Sequence, residues 1–183
     1  FLIVDEAHAL GVFGQDGSGL ASNADMTIGT FGKAFGSHGA FLTCSQKMKD
    51  YLVATCKGLI YSTAPSPAII GSISAALDLV PKMKESRKKI HCLTKHFKDN
   101  LVKLNLNVLS ADSHIISISM KDIPTAYGYQ KFLRDSGFWV KAIFPPTVTK
   151  KNTCIRFSIC AFHELEDINC LISFLASVPI DNA

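Results

Sequence analysis

Nowhere does the chain approach the roughly 18 uninterrupted apolar residues of a membrane span, and the expectation is of a protein without a signal peptide. Charged residues are scarce, 19% against 48% apolar, which excludes a disordered chain. The net charge of +4 is too small to point to a nucleic-acid partner. Its densest cluster, Lys82, Lys84, Arg87, Lys88 and Lys89, reads as one exposed helix face. Cysteines stand at 44, 56, 92, 154, 160 and 170 without a CxxC pair among them. That spacing argues against a metal site and predicts reduced thiols filling the core of a cytosolic protein. There is no internal repeat and no low-complexity tract. Also missing is an initiator methionine: the chain opens on Phe1-Leu-Ile-Val-Asp5, which reads as a strand buried on both faces. The expectation from that opening is a fragment whose preceding sequence is absent and which holds any cofactor weakly by itself.

What is present begins with that strand. Asp5-Glu-Ala-His8 falls at its carboxyl end, where ligand chemistry gathers in open α/β sheets. A glycine-punctuated loop follows, Gly11-Val-Phe-Gly14-Gln-Asp-Gly17-Ser-Gly19. Asp25 to Thr30 reads as a second strand and Gly39 to Cys44 as a third, and between them Lys33 sits in a loop with glycine at 32, 36 and 39. Ser45 is placed to cap a helix running to about Cys56, with Gly58 to Thr63 as an extended piece. Ile69, Ile73, Leu77, Val80, Ile90, Leu93, Phe97 and Leu101 recur at helical spacing, with Pro81 dividing the run. The last eighty residues predict strands at 108–109, 115–120, 139–144 and 154–160 and helices at 124–136 and 164–176, a small α+β unit. The domain boundary is expected near residue 85, giving 1–85 and 86–183.

A strand ending in Asp-Glu-Ala-His also occurs as the magnesium-binding element of helicases. Against that reading, Ser62-Thr63-Ala64 is out of order for the helicase Ser-Ala-Thr element, and Gly32-Lys33 lacks the upstream glycine and following Ser/Thr of a P-loop. Pairing Asp5 with Lys33 accounts for more. Pyridoxal phosphate needs an amine for its Schiff base, a carboxylate that keeps its ring nitrogen protonated, and donors for its phosphate. Lys33 supplies the amine and Asp5 the carboxylate. His8 is placed to donate to the phenolic oxygen or to lie near the ring, and Thr30 to bind phosphate. Any one of these residues alone has a plainer reading as a turn, cap or surface group; the combination with the glycine loop favours the site.

The series Asp5-Glu-Ala-His8, Gly11-x-x-Gly14-x-x-Gly17-x-Gly19 and Gly29-Thr-Phe-Gly-Lys33-Ala-Phe-Gly36 resembles the α-oxoamine synthase family of fold-type I pyridoxal-phosphate enzymes. Leu59-Ile-Tyr-Ser-Thr63, Trp139-Val-Lys-Ala-Ile-Phe-Pro-Pro-Thr-Val148 and Ile155-Arg-Phe-Ser158 extend the resemblance over essentially the whole chain. It implies an α/β fold: the C-terminal part of the large cofactor-binding domain, 1–85, followed by a small α+β domain, 86–183. Lys33 would carry the cofactor and act as base, Asp5 would hold the ring nitrogen, and His8 and Thr30 would touch the cofactor. Ser62 or Thr63 would reach the phosphate, across a homodimer with shared active sites. Thr147 and Arg156 would face substrate, Arg156 because its planar fork pairs bidentately with a carboxylate.

Within the family the chain resembles most the biotin-pathway branch, which implies a cytoplasmic acyltransferase condensing L-alanine with a pimeloyl thioester, carried by coenzyme A or an acyl carrier protein. The alternatives left open are a glycine-using sister enzyme, 2-amino-3-ketobutyrate ligase or 5-aminolevulinate synthase, and a non-catalytic partner subunit. Such subunits usually lose the lysine that is present here. Ser18 and Phe144 depart from the pattern, standing where the family commonly has arginine, and leave the acyl substrate open.

Overall fold

The computed structural model describes residues 1–109 and 112–177. The chain divides into two compact units, Phe1–Arg87 and Lys88–Ala183.

The first unit carries a three-stranded sheet in the order β1 (Ile3–Asp5), β2 (Met26–Thr30), β3 (Ala40–Cys44). β1 and β2 are parallel, with Asp5 opposite Ile28; β3 runs antiparallel to β2, with Thr30 opposite Ala40. β1 is not the doubly covered strand its apolar run predicts. Phe1, Leu2 and Ile3 are exposed, because β2 is the one strand paired with it and no described element covers its faces. Helix α1 (Gln46–Thr55) starts at Ser45, whose side chain accepts from Met48 N–H. Of residues 58–63, expected to be extended, the first three instead belong to a single turn, α2 (Lys57–Ile60). Ile60 N–H donates to Cys56 O and Tyr61 N–H to Lys57 O, so local bonds settle a short apolar run whose period is ambiguous. Ser66 caps α3 (Pro67–Leu79), with Pro67 in the first turn, where its missing N–H costs nothing. Pro81 lies in a 3₁₀ turn, Val80–Lys82, dividing α3 from α4 (Lys84–Lys103).

The basic cluster is not one solvated face. Arg87 is buried and donates to the carbonyls of Val80 (2.5 Å) and Pro81 (2.9 Å), bracing the turn between the helices.

The second unit holds β4 (Ile115–Ser119), α5 (Ile123–Asp135), β5 (Lys141–Ile143), β6 (Cys154–Ser158) and α6 (Leu165–Ser177). Its sheet is antiparallel in the order β4-β6-β5. One face is apolar: Ile116, Ile118, Ile155, Phe157 and Ala142 pack with Leu93, Phe97 and Leu101 of α4, Leu133 of α5, and Ile168, Leu171 and Leu175 of α6. Alternation sends Ser117, Lys141 and Arg156 to the other face. The strand expected at 108–109 is a single bridge, Val108 to Ile118. Of the cysteines only Cys154 is buried; Cys56, Cys92, Cys160 and Cys170 are exposed, so the core-filling expectation fails for those four. No described helix is long and apolar enough to cross a membrane.

Candidate active site

Because β1 and β2 are parallel, their carboxyl ends open at one edge of the sheet. Asp5 ends β1, Thr30 ends β2, and Lys33 follows three residues later. The loop after β1 then closes on the Lys33 turn. Gly11 has φ +79°, and a Cβ built on it would stand 2.6 Å from the Cβ of Ala34. Only glycine permits both that backbone and that approach. The contact ties the Asp5–His8 segment to the residue next to Lys33.

The turn presenting Lys33 is held by its own backbone. Phe31 N–H donates to Gly39 O (2.9 Å), Ser37 N–H to Phe31 O (2.8 Å) and Gly36 N–H to Lys33 O (3.0 Å). Thr30 works on both sides of it: its hydroxyl donates to Gly39 O at 3.1 Å and accepts from Gly32 N–H at 3.2 Å. The Phe31 ring leans on Phe35 and Phe41, with centroids 5.7 and 5.1 Å apart, and the Ser37 hydroxyl meets that of Ser72 on α3. Lys33 itself is exposed. Above Gly36 and Gly39 nothing lies within 4 Å of where a side chain would start, so the turn has a bare, open floor.

Asp5 Oδ1 accepts from Ala7 N–H at 2.8 Å, an Asx turn that orients the carboxylate, which stays exposed. His8 is exposed on the turn that follows. Asp5, His8, Thr30 and Lys33 are thus gathered at one edge. Ser62 and Thr63 are exposed between α2 and α3, with the Ser62 hydroxyl donating locally to Leu59 O at 2.9 Å.

Thr147 and Arg156 belong to the second unit. Thr147 follows the cis Pro145–Pro146 bond and its N–H donates to Phe144 O at 3.1 Å. Arg156 sits between Ser117 and Lys141 on the open sheet face. A hollow of about 270 Å³ lined by Leu109, Ser117, Val148, Asn152 and Cys154 adjoins both through Val148 and Ser117; burial pushes the Cys154 thiol up from its ordinary value. Phe144 packs against Tyr127 with the rings tilted by 40° and centroids 5.0 Å apart, at the edge of the core, so this departure from the family pattern is built into packing. Among the described residues no group of three or more His, Cys, Asp or Glu is placed to hold a metal ion.

Sequence reasoning passed over Glu6, which is 1% exposed beside the exposed Asp5. Strand alternation was the available signal: consecutive residues at a strand end point to opposite sides.

The family model for aminotransferases of class I and II matches residues 1–175. The chain belongs to that family. A protein of Desulfosudis oleivorans provisionally named 8-amino-7-oxononanoate synthase is 40% identical over 170 residues, 92% of this chain and 44% of the relative. The crystal structure of 8-amino-7-oxononanoate synthase from Francisella tularensis superposes with a TM-score of 0.85 at 25% identity, covering 95% of this chain and 53% of that one. A serine palmitoyltransferase from S. paucimobilis, a variant solved with bound pyridoxal phosphate and myriocin, superposes at 0.88 with 23% identity over 96% of this chain and 46% of that one, and speaks for the fold alone. The chain therefore spans about half the length of the family members it matches. Its fold is that of the fold-type I pyridoxal-phosphate enzymes, and the α-oxoamine synthase resemblance falls within this family. The residues at the sheet edge are of the kinds that cofactor needs: an amine at Lys33, a carboxylate at Asp5 and a hydroxyl at Thr30, with open space above Gly36 and Gly39 in the Lys33 turn.

Proposed function

We propose that the whole protein condenses L-alanine with a pimeloyl thioester, carried by coenzyme A or an acyl carrier protein, losing carbon dioxide to give 8-amino-7-oxononanoate. The observation that carries this reading is the convergence of Asp5, Thr30 and Lys33 at one parallel strand edge, closed by the Gly11 contact with Ala34. The named relatives support the choice of reaction.

Pyridoxal phosphate, when bound, supplies an electron sink for the pair released at the amino-acid α-carbon. Lys33 Nζ would anchor it and, as a free amine beside the reacting carbon, would take the α-proton. The Asp5 carboxylate, oriented by Ala7 N–H, holds a proton on the ring nitrogen through a charge-assisted hydrogen bond. His8 donates to the phenolic oxygen or lies along the ring. Thr30 closes the Lys33 turn through Gly39 O, and its hydroxyl would help to hold the phosphate. Thr147 and Arg156 face substrate, and the guanidinium of Arg156 pairs with a carboxylate.

Ser62 or Thr63 serves the phosphate of a second copy in a homodimer. Supporting this, Leu59, Ile60, Tyr61, Ile70 and Leu77 on and around α2 and α3 are all exposed, an apolar surface that association would cover. We infer a cytoplasmic location as part of this reading.

The full-length protein, incubated with pyridoxal phosphate, L-alanine and pimeloyl thioester, is expected to yield 8-amino-7-oxononanoate by mass spectrometry. Borohydride reduction and peptide mapping are expected to put the pyridoxyl label on Lys33. A label on another lysine overturns the site, and turnover of glycine in preference to alanine overturns the reaction in favour of a sister enzyme.

A further inference from the structure

Glu6 is the one buried carboxylate among the described residues, and the reaction above leaves it unused. Its backbone carries the β1–β2 ladder one residue past Asp5, with Glu6 N–H donating to Ile28 O at 2.8 Å. Its carbonyl accepts from Ala9 N–H (2.8 Å) and Leu10 N–H (3.0 Å), closing the turn on which His8 stands. The side chain goes the other way, under the glycine loop. Oε1 accepts from Leu20 N–H at 2.6 Å, and Oε2 is buried without a hydrogen-bond partner among the described residues.

Gly19 lies directly on this carboxylate. It has φ +90°, and a Cβ there would be 2.7 to 3.0 Å from Oε2, the carboxyl carbon and Oε1. From Gly19 the loop runs back on itself: Gly19 N–H donates to Phe13 O at 3.0 Å and Gly11 N–H to Gly17 O at 2.8 Å. Gly11 in turn packs on Ala34 beside Lys33. Glu6 thus stands at the root of a closed path from the Asp5 strand end through the glycine loop to the Lys33 turn. A buried carboxylate with one oxygen unpaired is costly where an apolar side chain of similar volume would fill the space, so packing alone is a poor account of it.

We infer that Glu6 is a positioning residue: through Leu20 N–H it pins the far end of the glycine loop and so sets Asp5 and His8 relative to Lys33. This rests on the cofactor reading of the same site.

The test uses full-length protein carrying Glu6→Leu, Glu6→Gln or Gly19→Ala, each assayed for kcat, for KM of the amino acid and for melting temperature. Glu6→Leu is expected to lower kcat about ten- to a hundredfold, the scale of a misplacement of about 1 Å. KM is expected to stay within about threefold, since the interaction lost is not a ground-state contact with substrate. Glu6→Gln keeps an acceptor for Leu20 N–H and is expected to retain kcat within about threefold. Gly19→Ala, which drives a methyl into the carboxylate, is expected to reproduce the kcat loss with Glu6 intact, and decides the matter if Glu6→Leu does not fold. An active wild type whose Glu6→Leu and Gly19→Ala forms match it overturns this inference alone, as does a Glu6→Gln as deficient as Glu6→Leu. A wild type that binds no pyridoxal phosphate overturns the cofactor reading and this inference with it.

Discussion

Replacing Gly11 by alanine tests the contact that assembles the site. Two penalties meet there. The residue sits at φ +79°, where a Cβ costs about 1–2 kcal/mol for an L-residue. The added methyl would lie 2.6 Å from Ala34 Cβ, far inside the roughly 3.5–4.0 Å at which carbon atoms attract. Relieving such an overlap costs about 1–3 kcal/mol. Ala34 Cβ is not the far end of a flexible chain, so the relief must come from the backbone of one loop or the other. Gly11→Ala is therefore expected to destabilise by roughly 2–5 kcal/mol, a large share of the roughly 5–15 kcal/mol by which a protein is stable. The companion change Ala34→Gly removes the overlap and leaves the dihedral strain. In a double-mutant cycle it should recover about 1–3 kcal/mol of the loss, since contacting residues couple. Urea unfolding of the full-length protein followed by circular dichroism reads both numbers, and cofactor retention on a desalting column reads the site. A Gly11→Ala protein within about 0.5 kcal/mol of wild type, or a cycle with no coupling to Ala34, would refute the packing of the glycine loop on the Lys33 turn.

Tyr129 has a buried hydroxyl without a hydrogen-bond partner among the described residues, so Tyr129→Phe is expected to leave stability unchanged or raise it by about 1 kcal/mol in urea unfolding. Burial pushes the Tyr129 phenol from 10.0 up to about 12, so the folded state keeps a proton that the unfolded state loses. Stability should fall as pH rises through that window, and the decline should be smaller in the phenylalanine variant. At acid pH the sign reverses for Asp122, the N-cap of α5. Hydrogen bonds from the Thr125 side chain and backbone hold its carboxyl below its ordinary 3.8. Its contribution is present above that value and disappears as pH falls through the lowered one. Melting temperatures of Asp122→Asn against wild type should therefore converge as the solution is acidified, and parallel curves would contradict the cap.

Much of the local structure was legible because its causes are local. Ser45, read as a cap, accepts from a backbone N–H three residues on, the capping that fixes a helix start from adjacent side chains; the structure adds Ser66 and Asp122 in the same role. Pro81 divided the long helical run where its missing N–H and its ring demand. The misreadings share another origin. Residues 58–63 were taken as extended from a pattern too short to separate the two periods, and 58–60 proved helical. Arg87 was grouped with its exposed neighbours, although its guanidinium turns inward to two carbonyls at a helix junction. The exposed cysteines show the same limit, since burial is a property of what the rest of the chain brings alongside.

For the candidate site, the sequence by itself determined the inventory: Asp5 and His8 at a strand end, Lys33 among glycines, Thr30 three residues before it. Strand pattern and residue chemistry are carried by neighbours along the chain and can be read there. Tertiary structure decided that β1 and β2 run parallel and open at the same edge, that Gly11 closes on Ala34, and that of two adjacent acids Asp5 faces solvent while Glu6 lies beneath the loop. Those outcomes depend on which distant segments pack together: the β1–β2 ladder and the packing of Leu10 on Gly29 and of Gly11 on Ala34 tie one stretch of the site to the other.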